Sequence, residues 1–225
     1  MAKIVSLETA TKVCSVALHQ DGKLVASQSY HLEKSHSSLL PLIIKEMLKN
    51  CETELESIDA FAVSFGPGSY TGLRIGATTA KGLAFTLNKP LISVNTLEAM
   101  ILGIKDIIQT PAYFCPMIDA RRMEAYCILA DETKTIWETN PLIVEPDSFV
   151  KFTDKPLYLF GDGAAKTKEV LTQENIKWIA DIHPTAENVG ILAEAKFQNS
   201  DFEDVAYFEP FYLKEFQAKP AKKLV

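Results

Sequence analysis

The spacing of hydrophobic and polar residues predicts a chain that alternates between strands and helices. Apolar positions repeat every two residues in some segments and every three to four in others, which are the periods of strands and helices. In the first half these patterns predict three strands, a helix, a strand, a helix, a strand and a helix. The predicted strands are 4–8, 13–19, 24–30, 60–65 and 91–94. The predicted helices are 38–50, one that starts within 66–76 and ends at 87, and 96–108. Asp21-Gly22 is typical of a two-residue turn between the second and third strands.

The second half repeats this order of elements. Its predicted strands and helices are strands 112–119, 124–130 and 135–144, helix 146–151, strand 157–160, helix 164–172, strand 176–180 and helix 185–197. Because Gln109-Thr110-Pro111 interrupts the pattern, we expect two α/β domains, 1–109 and 110–225, related by duplication.

The helix that follows Gly66 has an unusual face. Gly72, Gly76, Ala80 and Ala84 recur every four residues and therefore line one side of it. Each interior glycine costs about 1 kcal/mol relative to alanine. We interpret this smooth side as a surface that another helix must approach closely.

Charge and composition narrow the class of protein. The 225 residues carry a formal net charge of −6, and the body lacks the basic stripe of proteins that bind nucleic acid alone. Basic residues cluster only in the tail, which we expect to be solvated; they are Lys214, Lys219, Lys222 and Lys223. No apolar run is long enough to span a bilayer, and the first residues predict a strand rather than a secretion signal. The four cysteines lack metal-site spacing, so we expect free thiols and a cytoplasmic protein.

Two loops could hold phosphate. GPGSYTG at 66–72 follows a buried strand and opens a helix, but it lacks the lysine and the spacing of a Walker loop. Glu8 ends the first strand and precedes Thr9 and Thr11, where phosphotransferases with paired strand-rich domains hold magnesium and phosphate. That loop has no glycine to wrap around phosphate. We therefore interpret both loops as structural turns.

The remaining polar residues form no recognisable catalytic set. No two of the four histidines have the spacing of a helical metal pair, and His36 is expected at the surface. The chain has no G-x-S-x-G nucleophile elbow. Asp119 and Glu124 could act as acid and base, but we interpret them as solvated residues of a hairpin between two strands.

Five segments together resemble the TsaB (YeaZ) family. They are IVSLETATKVCSVAL at 4–18, HSSLLP at 36–41, GPGSYTGLRIGATTAKGLA at 66–84, IDARRMEAY at 118–126 and FYLK at 211–214. These segments occur in the family's order and extend over most of the chain. The resemblance implies an α/β fold of two tandem ribonuclease-H-like domains of the actin, sugar-kinase and Hsp70 superfamily, the second smaller and degenerate.

The resemblance also implies a function. The chain would be the non-catalytic dimerisation subunit that binds the catalytic paralogue TsaD, with TsaE as a third component. Their complex transfers a threonylcarbamoyl group from threonylcarbamoyl-AMP to N6 of adenosine 37 in tRNAs that read codons starting with A. The chain would then hold no cofactor by itself, since ATP and a metal ion belong to the partner subunits. It would meet tRNA only through the complex, would not bind a membrane, and could form a homodimer when TsaD is absent.

One difference separates this sequence from the catalytic paralogue. TsaD carries two metal-ligating histidines in a V-H-H-x-E-x-H context, and the matching stretch here is Val94 to Met100. Thr96 and Met100 occupy the ligand positions. Threonine is a poor metal ligand and methionine a soft one, so a hard or borderline ion would lose both anchors. We therefore expect no metal site and no hydrolase, carbamoyltransferase or glycoprotease activity.

The resemblance places the contacts with TsaD on the helix that starts near 38 and on the smooth helix. Eight residues are the expected contacts: Leu39, Ile43, Gly72, Leu73, Gly76, Ala77, Ala80 and Lys81. On this hypothesis a Gly76→Arg substitution leaves the protein folded and abolishes co-elution with TsaD.

Two enzymatic alternatives stay open. An ATP-dependent kinase of the same fold would need an acidic magnesium ligand and glycine-bearing phosphate loops in both domains, of which Glu8 and Gly161-Asp162-Gly163 are fragments. A metallopeptidase of the glycoprotease type would need the histidine pair that positions 96 and 100 lack.

Overall fold

The protein is built around two separate β-sheets. A computed structural model describes residues 2–32 and 36–214. Within those ranges ten strands form two five-stranded sheets, and four α-helices pack against them. The α/β class expected from the sequence is confirmed.

The first sheet combines an antiparallel meander with two parallel strands. Its members are β1 (Lys3–Glu8), β2 (Cys14–Gln20), β3 (Lys23–Tyr30), β4 (Ala60–Gly66) and β5 (Leu91–Asn95). They lie in the order β3-β2-β1-β4-β5, with β4 parallel to β1 and β5 parallel to β4. Asp21 and Gly22 both have positive φ at the β2–β3 turn, as the sequence predicts.

The second sheet repeats the topology of the first. Its members are β6 (Tyr113–Asp119), β7 (Glu124–Ala130), β8 (Thr135–Ile143), β9 (Leu157–Phe160) and β10 (Ile176–Ile179). They lie in the order β8-β7-β6-β9-β10, so a three-stranded meander is again followed by two parallel strands. The two halves thus share the order of elements that the sequence predicts, and their origin by duplication stays a prediction.

Helices cover both faces of the first sheet. Alternate residues of β1 point to opposite faces, so Val5 packs with Leu40 and Ala80 while Ile4 packs with Val189. The first face is covered by α1 (His36–Asn50) and α2 (Tyr70–Leu87), and the second by α3 (Thr96–Lys105) and α4 (Ala186–Gln198). A sheet that is buried on both sides explains why β4 reads as a continuous apolar run.

Two helices connect the halves of the chain. Leu97 and Met100 of α3 pack with Phe114 of the second sheet, while α3 also contacts β4 and β5 of the first. Helix α4 follows β10 in sequence but lies on β1, β2 and β4, and its Ala186 N–H donates to Ser15 Oγ at 2.9 Å. The chain thus returns to the first sheet near its end. The proposed division at residue 109 stays a prediction.

The outer face of the second sheet has less helix than the sequence predicts. Residues 146–151 form consecutive turns, and 164–172 contains only the 3₁₀ helix Ala165–Glu169. Six residues are too few to offset the cost of nucleating an α-helix. Instead Phe149 and Phe152 pack on the Trp137 ring, and the Gly163 N–H bonds the Met117 carbonyl at 2.9 Å. Side-chain packing on the sheet therefore fixes these segments.

The four cysteines are free thiols, as expected, and three of them are buried. Within the described ranges, none of the helices combines the length and apolar character needed to cross a bilayer.

Candidate partner-docking site

The GPGSYTG loop packs tightly against the loop that follows β1. The Ser69 N–H donates to the Ala10 carbonyl at 2.6 Å, and the Thr9 hydroxyl donates to the Gly72 carbonyl at 2.8 Å. A Cβ atom at Gly72 would lie 2.1 Å from the Thr9 carbonyl oxygen. Ser69 caps α2 by accepting from the Gly72 N–H at 3.3 Å. The loop's polar groups are thus committed to the chain itself, which supports the interpretation of a structural turn.

The smooth side of α2 faces this loop and the first sheet. A Cβ atom at Gly76 would lie 2.3 Å from Thr9 Oγ1, and Ala80 is fully buried among core residues. The sequence predicts another helix as the close neighbour of this face, and at Gly72 and Gly76 that prediction is wrong. The neighbour is the chain's own sheet and loop, because an apolar stripe on a helix is buried first against the nearest sheet.

The structure places most of the eight expected contact residues beneath the surface. Those buried in the chain's own interior are Ile43, Gly72, Leu73, Gly76, Ala77 and Ala80. Leu39 and Lys81 are half-buried. Lys81 Nζ donates to the carbonyls of Ala206 at 3.2 Å and Phe208 at 2.8 Å. The contact of these eight residues with a partner stays a prediction. Burial restricts direct contact chiefly to Leu39 and Lys81.

The Gly76→Arg substitution would not leave the protein folded, contrary to the sequence-based expectation. The side chain would have to pass through Thr9 Oγ1 and Val63 Cγ2, which lie 2.3 Å and 3.3 Å from the position of a Cβ atom. That substitution would disrupt the core of the first sheet.

The opposite side of α2 is exposed except at Ile75 and Thr79, which are half-buried. We call it the outer stripe, and its residues are Thr71, Arg74, Ile75, Thr78, Thr79, Gly82 and Phe85. Phe85 is 80% exposed, and Leu42 on the neighbouring α1 is 56% exposed. Gly82 has no described atom within 4 Å of where a Cβ would be. An open cavity of about 460 Å³ lies between the stripe and Ser37 at the start of α1.

Sequence reasoning missed the outer stripe. The sequence does contain an indication of it, because Phe85 and Leu42 are large apolar residues at positions outside the apolar repeat of the buried helix faces. Small and hydroxyl residues at 78, 79 and 82 fill the positions between them. Isolated exposed apolar residues are common on protein surfaces, so only the neighbourhood of the two helices makes them informative.

Residues 201–214, which we call the strap, pack against α2 and the end of β4. Phe208 is buried in the core beneath α2, and the Phe211 N–H donates to the Phe65 carbonyl at 2.8 Å. The Tyr212 and Tyr70 rings lie 5.0 Å apart. Lys214, expected to be solvated, forms an ion pair with Glu124. The other basic residues of the tail lie outside the described residues.

The positions that resemble the metal ligands of TsaD lie inside the packed interior. Thr96 is fully buried, and its hydroxyl has no hydrogen-bond partner among the described residues. Met100 is buried, and its Cε would lie 2.9 Å from a Cβ atom at Gly161. A threonine and a core methionine do not fit a hard or borderline ion. Across the described ranges no three histidine, cysteine or acidic side chains converge on a possible metal position.

Glu8 is a buried carboxyl at the end of β1. Burial raises its pKa from 4.5 to about 7, and the N–H of Ala10, which donates to Glu8 Oε1 at 2.5 Å, opposes that shift. A fully buried carboxyl that accepts the N–H of its own loop leaves little access for a hydrated magnesium ion. This arrangement favours the structural interpretation of the loop after β1.

Two further polar residues differ from expectation. His36 is buried rather than at the surface, and its Nε2 lies 2.9 Å from the Thr11 carbonyl, because the first residue of α1 contacts the loop after β1. Asp119 forms an ion pair with Lys166, so the hairpin carboxylates are paired rather than simply solvated.

Comparisons with known proteins agree with this architecture. A family profile described as "TsaD: tRNA N6-adenosine threonylcarbamoyltransferase" matches residues 26–222. The "tRNA threonylcarbamoyladenosine biosynthesis protein TsaB" of Bacillus subtilis strain 168 is 26% identical over 96% of both chains. The protein of the same name from Haemophilus influenzae is 35% identical, over 55% of this chain and 51% of its own length.

Solved structures give the same result at the level of the fold. A Pseudomonas aeruginosa protein described as similar to "peptidase YEAZ" has a TM-score of 0.84 and 25% identity, over 95% of this chain and all of that one. A second structure, "YeaZ from Pseudomonas aeruginosa", has a TM-score of 0.81 at 24% identity. The chain therefore belongs to the tRNA N6-adenosine threonylcarbamoyltransferase family, and within that family to the TsaB, or YeaZ, group.

Proposed function

We propose that this chain is a non-catalytic, cytoplasmic subunit of the complex that makes threonylcarbamoyladenosine in tRNA. In this proposal it binds the catalytic subunit TsaD, acts with TsaE, and supports transfer of threonylcarbamoyl to N6 of adenosine 37. The observation that carries the proposal is the residue pair Thr96 and Met100, which lies in a packed interior where the resemblance implies metal-binding histidines.

The docking surface in this proposal is the outer stripe of α2 together with the exposed edge of α1. Two helices pack at interaxial distances of about 8–10 Å, and the closest approaches need small side chains at the crossing point. Thr78, Thr79 and Gly82 supply that crossing point, while Phe85 and Leu42 supply apolar area beside it. A specific interface would bury about 800 Å² on each partner.

The buried small residues have an indirect role in this proposal. Gly72 and Gly76 allow α2 to pack closely against the loop after β1, and this packing sets the distance between the outer stripe and the sheet. The strap holds the other half of α2 through Lys81 and Phe208. The docking helix is thus rigid before a partner arrives, which lowers the entropic cost of binding.

The same surface can pair with itself when TsaD is absent. Two copies would meet through one patch related by a two-fold axis, since an isologous contact needs only one self-complementary surface. ATP and a metal ion, in this proposal, bind in the partner subunits and not in this chain alone.

A matched pair of substitutions tests the docking surface. Phe85→Arg changes an exposed residue of the outer stripe, and Ile191→Arg changes a 42% exposed residue on α4, which covers the opposite face of the first sheet. We expect Phe85→Arg to abolish co-elution with TsaD, because an arginine at the interface centre would have to be desolvated without a partner. Ile191→Arg should co-elute normally.

The functional assay measures threonylcarbamoyladenosine in tRNA by mass spectrometry after reaction with purified TsaD and TsaE. Activity should require this chain, should be lost with Phe85→Arg and should be retained with Ile191→Arg. Full activity of TsaD and TsaE without this chain would overturn the proposal. Turnover of nucleotide or peptide by the isolated chain would favour the kinase or the peptidase instead.

A further inference from the structure

The turn between β6 and β7 has an unfavourable pair of residues at its centre. Arg121 and Arg122 have φ values of 69° and 51°, so both lie in the left-handed region. Positive φ is favourable mainly for Gly, Asn and Asp, because the Cβ atom of other residues clashes with the backbone there. Two consecutive arginines therefore oppose the local backbone preference.

A second turn in the same chain has the expected residues. Asp21 and Gly22 connect β2 to β3 with φ values of 52° and 73°. Two consecutive residues with positive φ are thus formed there by a favourable sequence. Local rules are broken chiefly where a side chain has another function. The arginines of the β6–β7 turn are not explained by the turn itself.

The two arginines have no counter-ion among the residues that the structure describes. Both side chains are exposed and make no hydrogen bond or ion pair with any described residue. The neighbouring carboxylates have other partners: Asp119 pairs with Lys166, and Glu124 pairs with Lys214.

The third carboxylate beside the turn also has other neighbours. Asp162 accepts the Asp119 N–H at 2.9 Å and lies near Lys12 and His183. The turn therefore presents two positive charges that no described residue pairs with, on a chain whose net charge is −6.

We propose that the tip formed by Arg121 and Arg122 contacts the phosphate backbone of the RNA substrate. This inference rests on the proposed function, which brings a tRNA to the complex. The guanidinium group carries a planar set of N–H donors that matches phosphate oxygens in a bidentate way. Phosphate contacts hold a protein in register on a nucleic acid without reading its sequence. Such a contact strengthens tRNA binding and takes no part in the chemical step.

The test replaces the tip by the sequence that its backbone prefers. Arg121→Asn combined with Arg122→Gly should raise the melting temperature by about 2–4 °C, because the strain is relieved. In the reconstituted modification assay, the KM for tRNA should rise roughly tenfold with kcat unchanged. The slope of log(kcat/KM) against log salt should become less steep by about 1 to 2, since about one counterion is released per phosphate contact.

Two further variants control for charge. Arg121→Lys with Arg122→Lys keeps both charges and should retain most of the tRNA affinity. Lys134→Ala with Lys151→Ala removes two exposed charges outside this tip, Lys134 lying at the far end of β7, and should leave the KM for tRNA unchanged. An unchanged KM and salt slope in the Asn-Gly variant would overturn the inference.

The remaining outcomes separate other ligands from RNA. Loss of co-elution with TsaD, or of ATP affinity by calorimetry, at an unchanged KM for tRNA would assign the tip to protein or nucleotide and overturn the inference. If the wild-type chain did not support modification, the proposed function would fail. Filter binding of tRNA to the wild-type and Asn-Gly chains, alone and with TsaD and TsaE, would then still decide the inference: equal affinities at low salt would refute it.

Discussion

Two glycines of α2 should respond in opposite ways to the same substitution. Gly76 faces the loop after β1, where a Cβ atom would lie 2.3 Å from Thr9 Oγ1 and 3.3 Å from Val63 Cγ2. Gly82, six residues further along, has no described atom within 4 Å of its Cβ position. Alanine at each position therefore tests which side of the helix is buried.

The magnitudes follow from the contacts. Alanine in a helix interior is favoured over glycine by about 1 kcal/mol, and this gain applies to both positions. At Gly76 it is opposed by overpacking, which costs about 1–3 kcal/mol. Thr9 would also have to move, and the hydrogen bond that its hydroxyl donates to the Gly72 carbonyl at 2.8 Å contributes about 1 kcal/mol. We expect Gly82→Ala to stabilise the protein by about 1 kcal/mol and Gly76→Ala to destabilise it by about 2 kcal/mol.

Urea unfolding followed by far-ultraviolet circular dichroism measures both changes. For a domain of this size, 1 kcal/mol corresponds to a shift in melting temperature of about 2–4 °C. The melting temperature should rise with Gly82→Ala and fall by about 4–8 °C with Gly76→Ala. A rise with both substitutions would refute the close packing of α2 on Thr9. A loss with both would refute the open outer stripe.

Two other predictions concern Glu8 and the strap. Burial raises the pKa of Glu8 from 4.5 to about 7, so the folded state binds an extra proton between these pH values. The free energy of unfolding should therefore fall by up to about 3 kcal/mol as the pH rises through this window. Glu8→Gln should remove this loss, measured as the difference in urea stability between pH 5 and pH 8; an unchanged difference would exclude Glu8 as its cause. Lys81→Met should remove the bonds to the Ala206 and Phe208 carbonyls and destabilise the strap by about 1 kcal/mol. Amide exchange at Phe211, whose N–H bonds Phe65, should then accelerate, and exchange at the wild-type rate would show that Lys81 does not anchor the strap.

The interior between the two sheets relates this protein to enzymes of the same family. Glu8 ends β1, Thr96 begins α3 directly after β5, and Met100 packs with the second sheet. The carboxyl ends of parallel strands are a usual place for ligands in open α/β sheets. Here the positions are filled by a protonatable carboxyl, a hydroxyl and a core methionine. The proposed function follows from this change: the chain would contribute a surface to a complex whose chemistry occurs in another subunit.

The sequence by itself determined the order and type of most elements. Strands β1 to β7 and helices α1 to α3 follow from apolar periodicity, and the Asp21-Gly22 turn follows from its residue pair. Local rules succeed there because each segment's pattern, turn residues and burial favour the same structure. The family resemblance likewise came from local motifs, above all the block at 66–84.

Tertiary structure alone decided which surfaces are buried. The small residues of α2 predict a close contact, but their pattern is the same whether the neighbour is a partner or the chain's own loop, so the sequence alone could not place Gly76 against Thr9. The return of α4 to the first sheet, the burial of His36 and the turns at 146–151 also depend on residues far away in sequence. Burial of a side chain is a property of everything that surrounds it, and periodicity along one segment records only that a buried side exists.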